Sequence, residues 1–537
     1  MPAFTQGSSN RGIESRWLMI SSGLILLLSI LLRFHDIGIP YLWTDEAFSA
    51  LVSVQSPSAI WFHMGHEVHP PLYFLLLHLW IQMFGDSVQA LRAMSAVAGV
   101  VAVALGMRLM RFISRPRLAV MTGLFMALLP ISVRYSQEAR MYSLEAVWLL
   151  GATLALVYWL RGARDRYLVI YALLVIAALY THYLSILCVL AHFIYLIALR
   201  FQADRRLHVL TRAKLWIACL VVTVAYIPWL FSLTDEVIIH NEAFKTGGEI
   251  FWIPGLTAYT LPSALWRFFT LKARTELSTP VYLLLPLLVV ALALWVACRD
   301  RSRLRLGLLL FIFSFFPVLA VFLVSFKLPI FIERYVAFSA IGVVMLLALA
   351  VARMARRTPM LAGAMVVLIL GLECLGLNTM YTRQDDLNGT RNEIRYPLDQ
   401  IVGSINERSR AGDTIVVNGG YWYYSVAYYS RRGIQPLLYQ PAWDNTTDNR
   451  PNGYGSSTLI YPYRDQLFLE DLSALPRQFH RVWWVTSRDT DEQAETVPDN
   501  WECLLLQDAG ELQLRLYVVQ PESMVRQGAA FSRCQRL

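Results

Sequence analysis

The stretch Tyr41-Leu-Trp-Thr-Asp45-Glu46-Ala-Phe48 sets two adjacent carboxylates among aromatics, just after the first long apolar run. No Lys or Arg occurs between Arg33 and Arg92, so nothing close in sequence neutralises them. An ionised carboxylate at a membrane face is suited to taking a proton from an acceptor hydroxyl as general base. The plainer role is a helix start, with Thr44 or Asp45 as N-cap and Glu46 facing the dipole. Three further stretches carry chemistry-bearing residues. They are His69-Pro-Pro-Leu-Tyr73, Arg134-Tyr-Ser-Gln-Glu138-Ala-Arg140-Met-Tyr142 and Glu333-Arg334-Tyr335. Arg92 and His182 join them as polar residues at the edges of apolar runs.

Arginine grips phosphate oxygens with a two-pronged fork and stays charged, so Arg140 and Arg334 suit a phosphate leaving group. His69 is a candidate donor to the same phosphate, and Tyr335 stands beside Arg334. Tyr73, Arg92, Arg134, Glu138, Tyr142, His182 and Glu333 are candidate substrate contacts. Each has an ordinary alternative: Arg140 can pair with Glu138, Arg334 can pair with Glu333, and Pro-Pro is a common helix opening. Together the set points to transfer of a group from a phosphate-bearing lipid.

These residues must be positioned by membrane helices. The chain has 537 residues, of which 56% are hydrophobic and 16% charged. Soluble domains carry roughly 25% charge. The net charge of +9 does not indicate a nucleic-acid partner, because the basic residues fall in short clusters between apolar runs. Runs fit to span lie near 17–34, 89–110, 117–134, 141–160, 166–182, 183–199, 214–233, 281–298, 306–326, 334–353 and 358–379. This predicts a polytopic α-helical protein of about eleven spans. The first run has no convincing cleavage site and reads as an uncleaved span.

The segment 71–84 is apolar but short. If it lies in the interface and the N-terminus is cytoplasmic, the clusters at 108–117, 161–166, 200–214, 299–305 and 353–357 all fall inside. That is what positive-inside orientation asks, and a crossing 71–84 would reverse every one of them. The four motifs then share the outer face. The inner loops are short and basic and contain no glycine-rich phosphate loop, which argues against a cytosolic nucleotide reaction.

The composition changes near 380, giving a membrane domain over 1–379 and an extracytoplasmic domain over 380–537. Strands are expected at 413–418, 480–486, 501–507 and 511–519, with helices near 421–431 and 467–474. This is a small α/β domain, with 441–465 as a long loop. Cys503 and Cys534 lie within it and can pair in an oxidising compartment, while Cys188, Cys219, Cys298 and Cys374 sit in or beside apolar runs.

The motifs WTDEA, HPPLY, QEARMY and ERY, in this order, resemble the GT-C superfamily of membrane glycosyltransferases. Within it they are most similar to the glycosyltransferase family 39-like group, which includes protein O-mannosyltransferases and the lipid A aminoarabinose transferase. The resemblance covers roughly 17–379 and is densest over 41–142. It implies an inverting transferase working on the non-cytoplasmic side of the membrane, and a bacterial inner membrane is expected because the C-terminal part does not resemble the repeat domain that eukaryotic O-mannosyltransferases insert between spans. The donor is a sugar on polyprenyl phosphate, and the acceptor is a glycan, lipid or protein. Asp45 corresponds to the catalytic base and Glu46 to its acidic neighbour; Arg140 and Arg334 correspond to donor-phosphate positions. His69 departs from the Lys that precedes Pro-Pro in the aminoarabinose branch, which tells against that substrate. No cofactor is required, although the acidic pair could hold a divalent cation. The rival reading is a transporter or flippase of lipid-linked sugars, but the sequence shows no internal repeat and its polar residues sit at one face.

Overall fold

A computed structural model describes residues 6–67, 69–113, 116–162, 164–202, 204, 207–245, 253, 255–430, 433–441, 455–475, 480–488, 497–520 and 534–536. In chain order the helices begin with α1 (Gln6–Phe34), α2 (Thr44–Ser53), α3 (Pro57–Met64), α4 (Leu72–Phe84) and α5 (Val88–Met110). Next come α6 (Pro116–Leu128), α7 (Pro130–Ser136), α8 (Tyr142–Gly162), α9 (Asp165–Thr181), α10 (Ile186–Arg200) and α11 (Ala213–Lys245). The series continues with α12 (Thr260–Thr270), α13 (Thr279–Arg299), α14 (Leu306–Val324), α15 (Ala337–Met354) and α16 (Pro359–Tyr381).

Among the described residues, nine helices are long and apolar enough to cross a membrane, or ten if α6 and α7 count as one bent span. The helix α9, with 17 residues, fills the remaining expected segment, 166–182. The helix α4 has 13 residues, too few to cross. The expectation of one continuous span over 117–134 needs correction. It breaks at Leu129-Pro130 into α6 and α7, bent by 58°. Proline removes an N–H and crowds the preceding turn, which leaves carbonyls near the break in need of donors.

Two compact units form. The first comprises 1–37, 69–76 and 89–387; the second comprises 38–68, 77–88 and 388–537. Sequence alone assigns 38–68 and 77–88 to the membrane part, but they pack with the C-terminal residues.

In the first unit α15 is the central helix. Of its most apolar stretch 94% is buried, and it packs against α6, α7, α13, α14 and α16. At the other extreme α1 exposes Trp17, Met19, Ile20 and Leu24, as a lipid-facing helix does. The spans α5, α8, α10, α13 and α15 each carry Arg in their last turn, complementing the helix dipole. Arg33 at the far end of α1 behaves differently. It is fully buried and donates to Ala127 O at 3.1 Å, Met126 O at 3.3 Å, Ser132 Oγ at 3.2 Å and Ser29 Oγ at 2.8 Å. It thus supplies donors to the carbonyls at the α6–α7 break. Gly99 leaves room for it, since a Cβ there would lie 2.7 Å from Arg33 Nε and 2.2 Å from Ser136 Oγ.

In the second unit, α17 (Asn388–Arg395) and α18 (Leu398–Arg408) precede β1 (Asp413–Asn418), α19 (Gly420–Tyr429) and β2 (Leu437–Tyr439). Then come α20 (Arg464–Leu467), β3 (Phe468–Leu469), β4 (Arg481–Ser487), β5 (Trp501–Ala509), β6 (Leu512–Val519) and β7 (Gln535–Arg536). The sheet order is β3-β2-β1-β4-β6-β5-β7. It is parallel from β3 to β4 and antiparallel across β4, β6 and β5. Val416, Val417, Trp483 and Trp484 are fully buried at its centre, and Asp413 there accepts from Trp483 Nε1 at 2.8 Å. The expected strands and the helix after β1 form. The helix expected at 467–474 does not. Its place is taken by the end of α20, the strand β3 and a 3-10 turn over Leu472–Ala474, because Phe468 and Leu469 pair with β2. Of the expected loop 441–465, residues 442–454 lie outside the described residues, and 455–463 form 3-10 turns. Cys503 and Cys534 are disulfide-bonded.

Candidate active site

Two groups of predicted residues form, one in each unit. In the first unit a buried cluster collects at the ends of α8, α9 and α15. Arg140 precedes α8, His182 links α9 to the 3-10 turn Tyr183–Ser185, and Arg334 and Tyr335 lie in the turn that leads into α15. Arg140 is 2% exposed and donates through Nη2 to His69 Nε2 at 3.1 Å. A guanidinium accepts no hydrogen bond, so His69 Nε2 is the acceptor and its proton sits on Nδ1. The His182 ring lies 6.2 Å from that of His69, 6.2 Å from Tyr142 and 5.4 Å from Tyr335, and it stacks on Tyr183. The Arg334 guanidinium lies 5.6 Å from the centre of its neighbour's ring, Tyr335. Burial pushes the His182 imidazole well below its usual pKa, and the positive charges of Arg140 and Arg334 push it the same way.

The carboxylates have their own arginines. Glu138 accepts from Arg134 at 2.8 Å, and Asp385 lies 4.0 Å from the same Arg134. Glu333 and Asp386 both pair with Arg267, Asp386 at 2.8 Å, and Asp386 also accepts from Ala273 N. Arg92 donates to Ile37 O at 2.9 Å and so secures the exit of α1, while Tyr73 is wholly buried beside Phe74.

In the second unit, Asp45 and Glu46 occupy the first turn of α2. Of the helix-start alternative the dipole part holds, since both carboxylates lie in the first turn, but the capping part does not. Trp43 is the N-cap and makes no side-chain cap bond, and the Thr44 hydroxyl donates instead to Tyr421 O at 2.5 Å. The adjacent carboxylates, inseparable by sequence, differ here. Glu46 is fully buried and Asp45 only partly so. The chain entering α2 is clasped by α19. Leu42 N donates to Tyr429 Oη at 2.8 Å, Ser425 Oγ donates to Leu42 O at 3.0 Å, and Phe48 meets Tyr424 edge-on.

Chains with this architecture are known. ArnT from Cupriavidus metallidurans in the apo state is similar, with a TM-score of 0.61 and 16% identity over 94% of this chain and 98% of that one. The chain has the GT-C glycosyltransferase fold. ArnT bound to undecaprenyl phosphate is similar to this chain at a TM-score of 0.58 and 15% identity, covering 92% and 97% of the two chains. The Archaeoglobus fulgidus oligosaccharyltransferase in the apo form gives a TM-score of 0.51 and 14% identity over 88% and 69%. A family model described as dolichyl-phosphate-mannose-protein mannosyltransferase matches residues 68–231. No curated protein matches the chain in sequence. The apolar helices and this fold make it an integral membrane protein.

Sequence reasoning passed over Glu145, Arg267 and the α19 residues of this chain. Glu145 carried a usable signal, an acidic residue in the first turn of an apolar span. Arg267 and Tyr429 carried none, because only the fold brings them to their partners. Among the described residues no three His, Cys, Asp or Glu side chains converge as metal ligands would.

The buried His182 has a consequence for acid stability. With its folded pKa below the unfolded value of about 6.5, its neutral form stabilises the protein fully above that pH. As the pH falls below about 6.5 the unfolded state binds the extra proton and this contribution is lost. The Tm difference between wild type and His182→Gln is expected to shift against wild type between pH 7.5 and pH 5. Thermal melts in buffered detergent check it, and a pH-independent difference would contradict it.

Proposed function

We propose that the protein is an inverting glycosyltransferase that moves a sugar from a polyprenyl-phosphate carrier to an acceptor hydroxyl on the non-cytoplasmic face of the membrane. The observation that carries this is the buried Arg140–His69 pair, with Arg334 close enough to bear on the same His182. Two guanidinium forks in a water-poor site are what a departing phosphate monoester needs. ArnT, whose fold this chain shares, has been seen with undecaprenyl phosphate, and the matching family model is named for a dolichyl-phosphate sugar. The motif similarity assigns Asp45 as the base, and its partial exposure beside an enclosed Glu46 supports that choice.

In the reaction the acceptor oxygen forms a bond to the anomeric carbon while its proton passes to the Asp45 carboxylate. The bond from that carbon to the phosphate oxygen breaks on the opposite side, and its electron pair leaves with polyprenyl phosphate. The anomeric centre inverts. Arg140 and Arg334 bind the phosphate more strongly as its charge grows, which favours the transition state over the bound donor. The disulfide at Cys503–Cys534 and the basic ends of five spans support an outer placement of the C-terminal residues.

The test is purified protein in detergent with a panel of polyprenyl-phosphate hexoses and pentoses and candidate glycan, lipid and peptide acceptors. Release of polyprenyl phosphate with an inverted product is expected. Binding of the sugar lipid without turnover across the panel would favour a carrier.

A further inference from the structure

We infer that Glu145 and His182 form a buried dyad that presents His182 Nε2 as the hydrogen-bond acceptor for a hydroxyl of the donor's sugar. This deepens the proposed function and rests on it. His182 is fully buried, and among the described residues neither ring nitrogen has a hydrogen-bond partner. A native protein rarely leaves such a group unsatisfied, so a ligand is the natural complement.

The tautomer follows from the neighbours. Glu145 is 1% exposed, and its Oε1 accepts from Ser185 Oγ at 2.7 Å, which makes this oxygen the acceptor in the carboxylate form. His182 Nδ1 faces the same oxygen at 3.7 Å, close to hydrogen-bond range in a site without substrate. The proton therefore belongs on Nδ1, and Nε2 carries a bare lone pair. A lone pair repels phosphate and finds no donor on a polyprenyl chain, which leaves a hydroxyl. The surroundings also suit a sugar. Tyr183 stacks on the ring at 5.2 Å with an interplanar angle of 9°, while Tyr142 meets it edge-on and Tyr335 lies tilted beside it. The Arg140–His69 pair proposed for the phosphate adjoins the same ring, as headgroup recognition requires. In these terms His182 is a specificity determinant and Glu145 its positioning residue.

The test compares binding of undecaprenyl phosphate alone with that of the undecaprenyl-phosphate sugar turned over best by wild type. His182→Ala is expected to weaken the sugar-bearing lipid about tenfold or more while leaving the bare lipid within about twofold. Arg140→Ala should weaken both. Glu145→Ala should follow His182→Ala, and Glu145→Gln, which keeps the accepting oxygen, should restore near-normal binding. A second measurement needs no variant: donors lacking one sugar hydroxyl are offered to wild type, and one of them should lose about tenfold or more. Equal loss of both lipids in His182→Ala, no loss, or indifference of wild type to every deoxy donor overturns the dyad's role. Failure of wild type to bind or turn over either lipid counts against the glycosyltransferase reading itself.

Discussion

Asp45→Asn is expected to lower kcat by about 10²- to 10⁴-fold, the usual worth of a positioned general base. Asn keeps the size and hydrogen-bonding shape of Asp but cannot take a proton. Expression, elution profile and donor binding should therefore persist while release of polyprenyl phosphate fails. Glu46→Gln is the informative companion. Glu46 is wholly enclosed and Asp45 is partly open, so only Asp45 is placed to meet an acceptor. Glu46→Gln should cost less than about tenfold in kcat, well short of the loss of a base. Initial rates at saturating donor decide the matter. Near-normal turnover by Asp45→Asn would remove it from the base role, and a larger loss in Glu46→Gln would exchange the two.

The second large effect is expected from residues that meet no substrate. Ser425→Ala together with Tyr429→Phe removes the hydrogen bonds that α19 makes to Leu42 N and Leu42 O. Each such bond contributes about 1 kcal/mol, and a buried group left unsatisfied costs about 1–3 kcal/mol. The chain entering α2 should then relax out of place and carry Asp45 with it. A displacement of about 1 Å at a reacting group can cost about 100-fold, so kcat should fall on that order while donor KM stays within a few-fold. A lower Tm with unchanged kcat per folded molecule would show that the clasp only stabilises. On this account α19 positions the proposed base, a role the sequence left unassigned.

What could be read from the sequence was what depends on neighbours in the chain. Apolar runs located the spans, the short apolar run within 413–418 located a central strand, and four short motifs located several of the buried charged residues. Pro130 was visible too, but a proline in a span either kinks or breaks it, and the 58° turn depends on what receives the freed carbonyls. The receiver, Arg33, lies 93 and 94 residues away from Met126 and Ala127. Adjacency could not show that Glu138 pairs with Arg134, one turn away, or that Glu333 pairs with Arg267, 66 residues away. Phe468 and Leu469 satisfy a helical pattern, but β2 offers them a strand partner, and tertiary pairing wins over local preference. Burial likewise separated Asp45 from Glu46, which no spacing can do.

Arg33 also says something about how the protein is made. Its four hydrogen-bond partners among the described residues lie either in its own helix or beyond residue 125, so the first span is synthesised long before its charge has anywhere to go. At about 5–20 residues per second the wait is on the order of 5–20 s. During it the guanidinium stays in the headgroup layer, because a bare arginine within lipid is costly. Seating α1 is therefore a late event, completed only once the broken helix has emerged and presents its carbonyls. A fault at Arg33, Gly99 or Pro130 then acts first on insertion of the nascent chain, and on sugar transfer only through the molecules that fail to assemble.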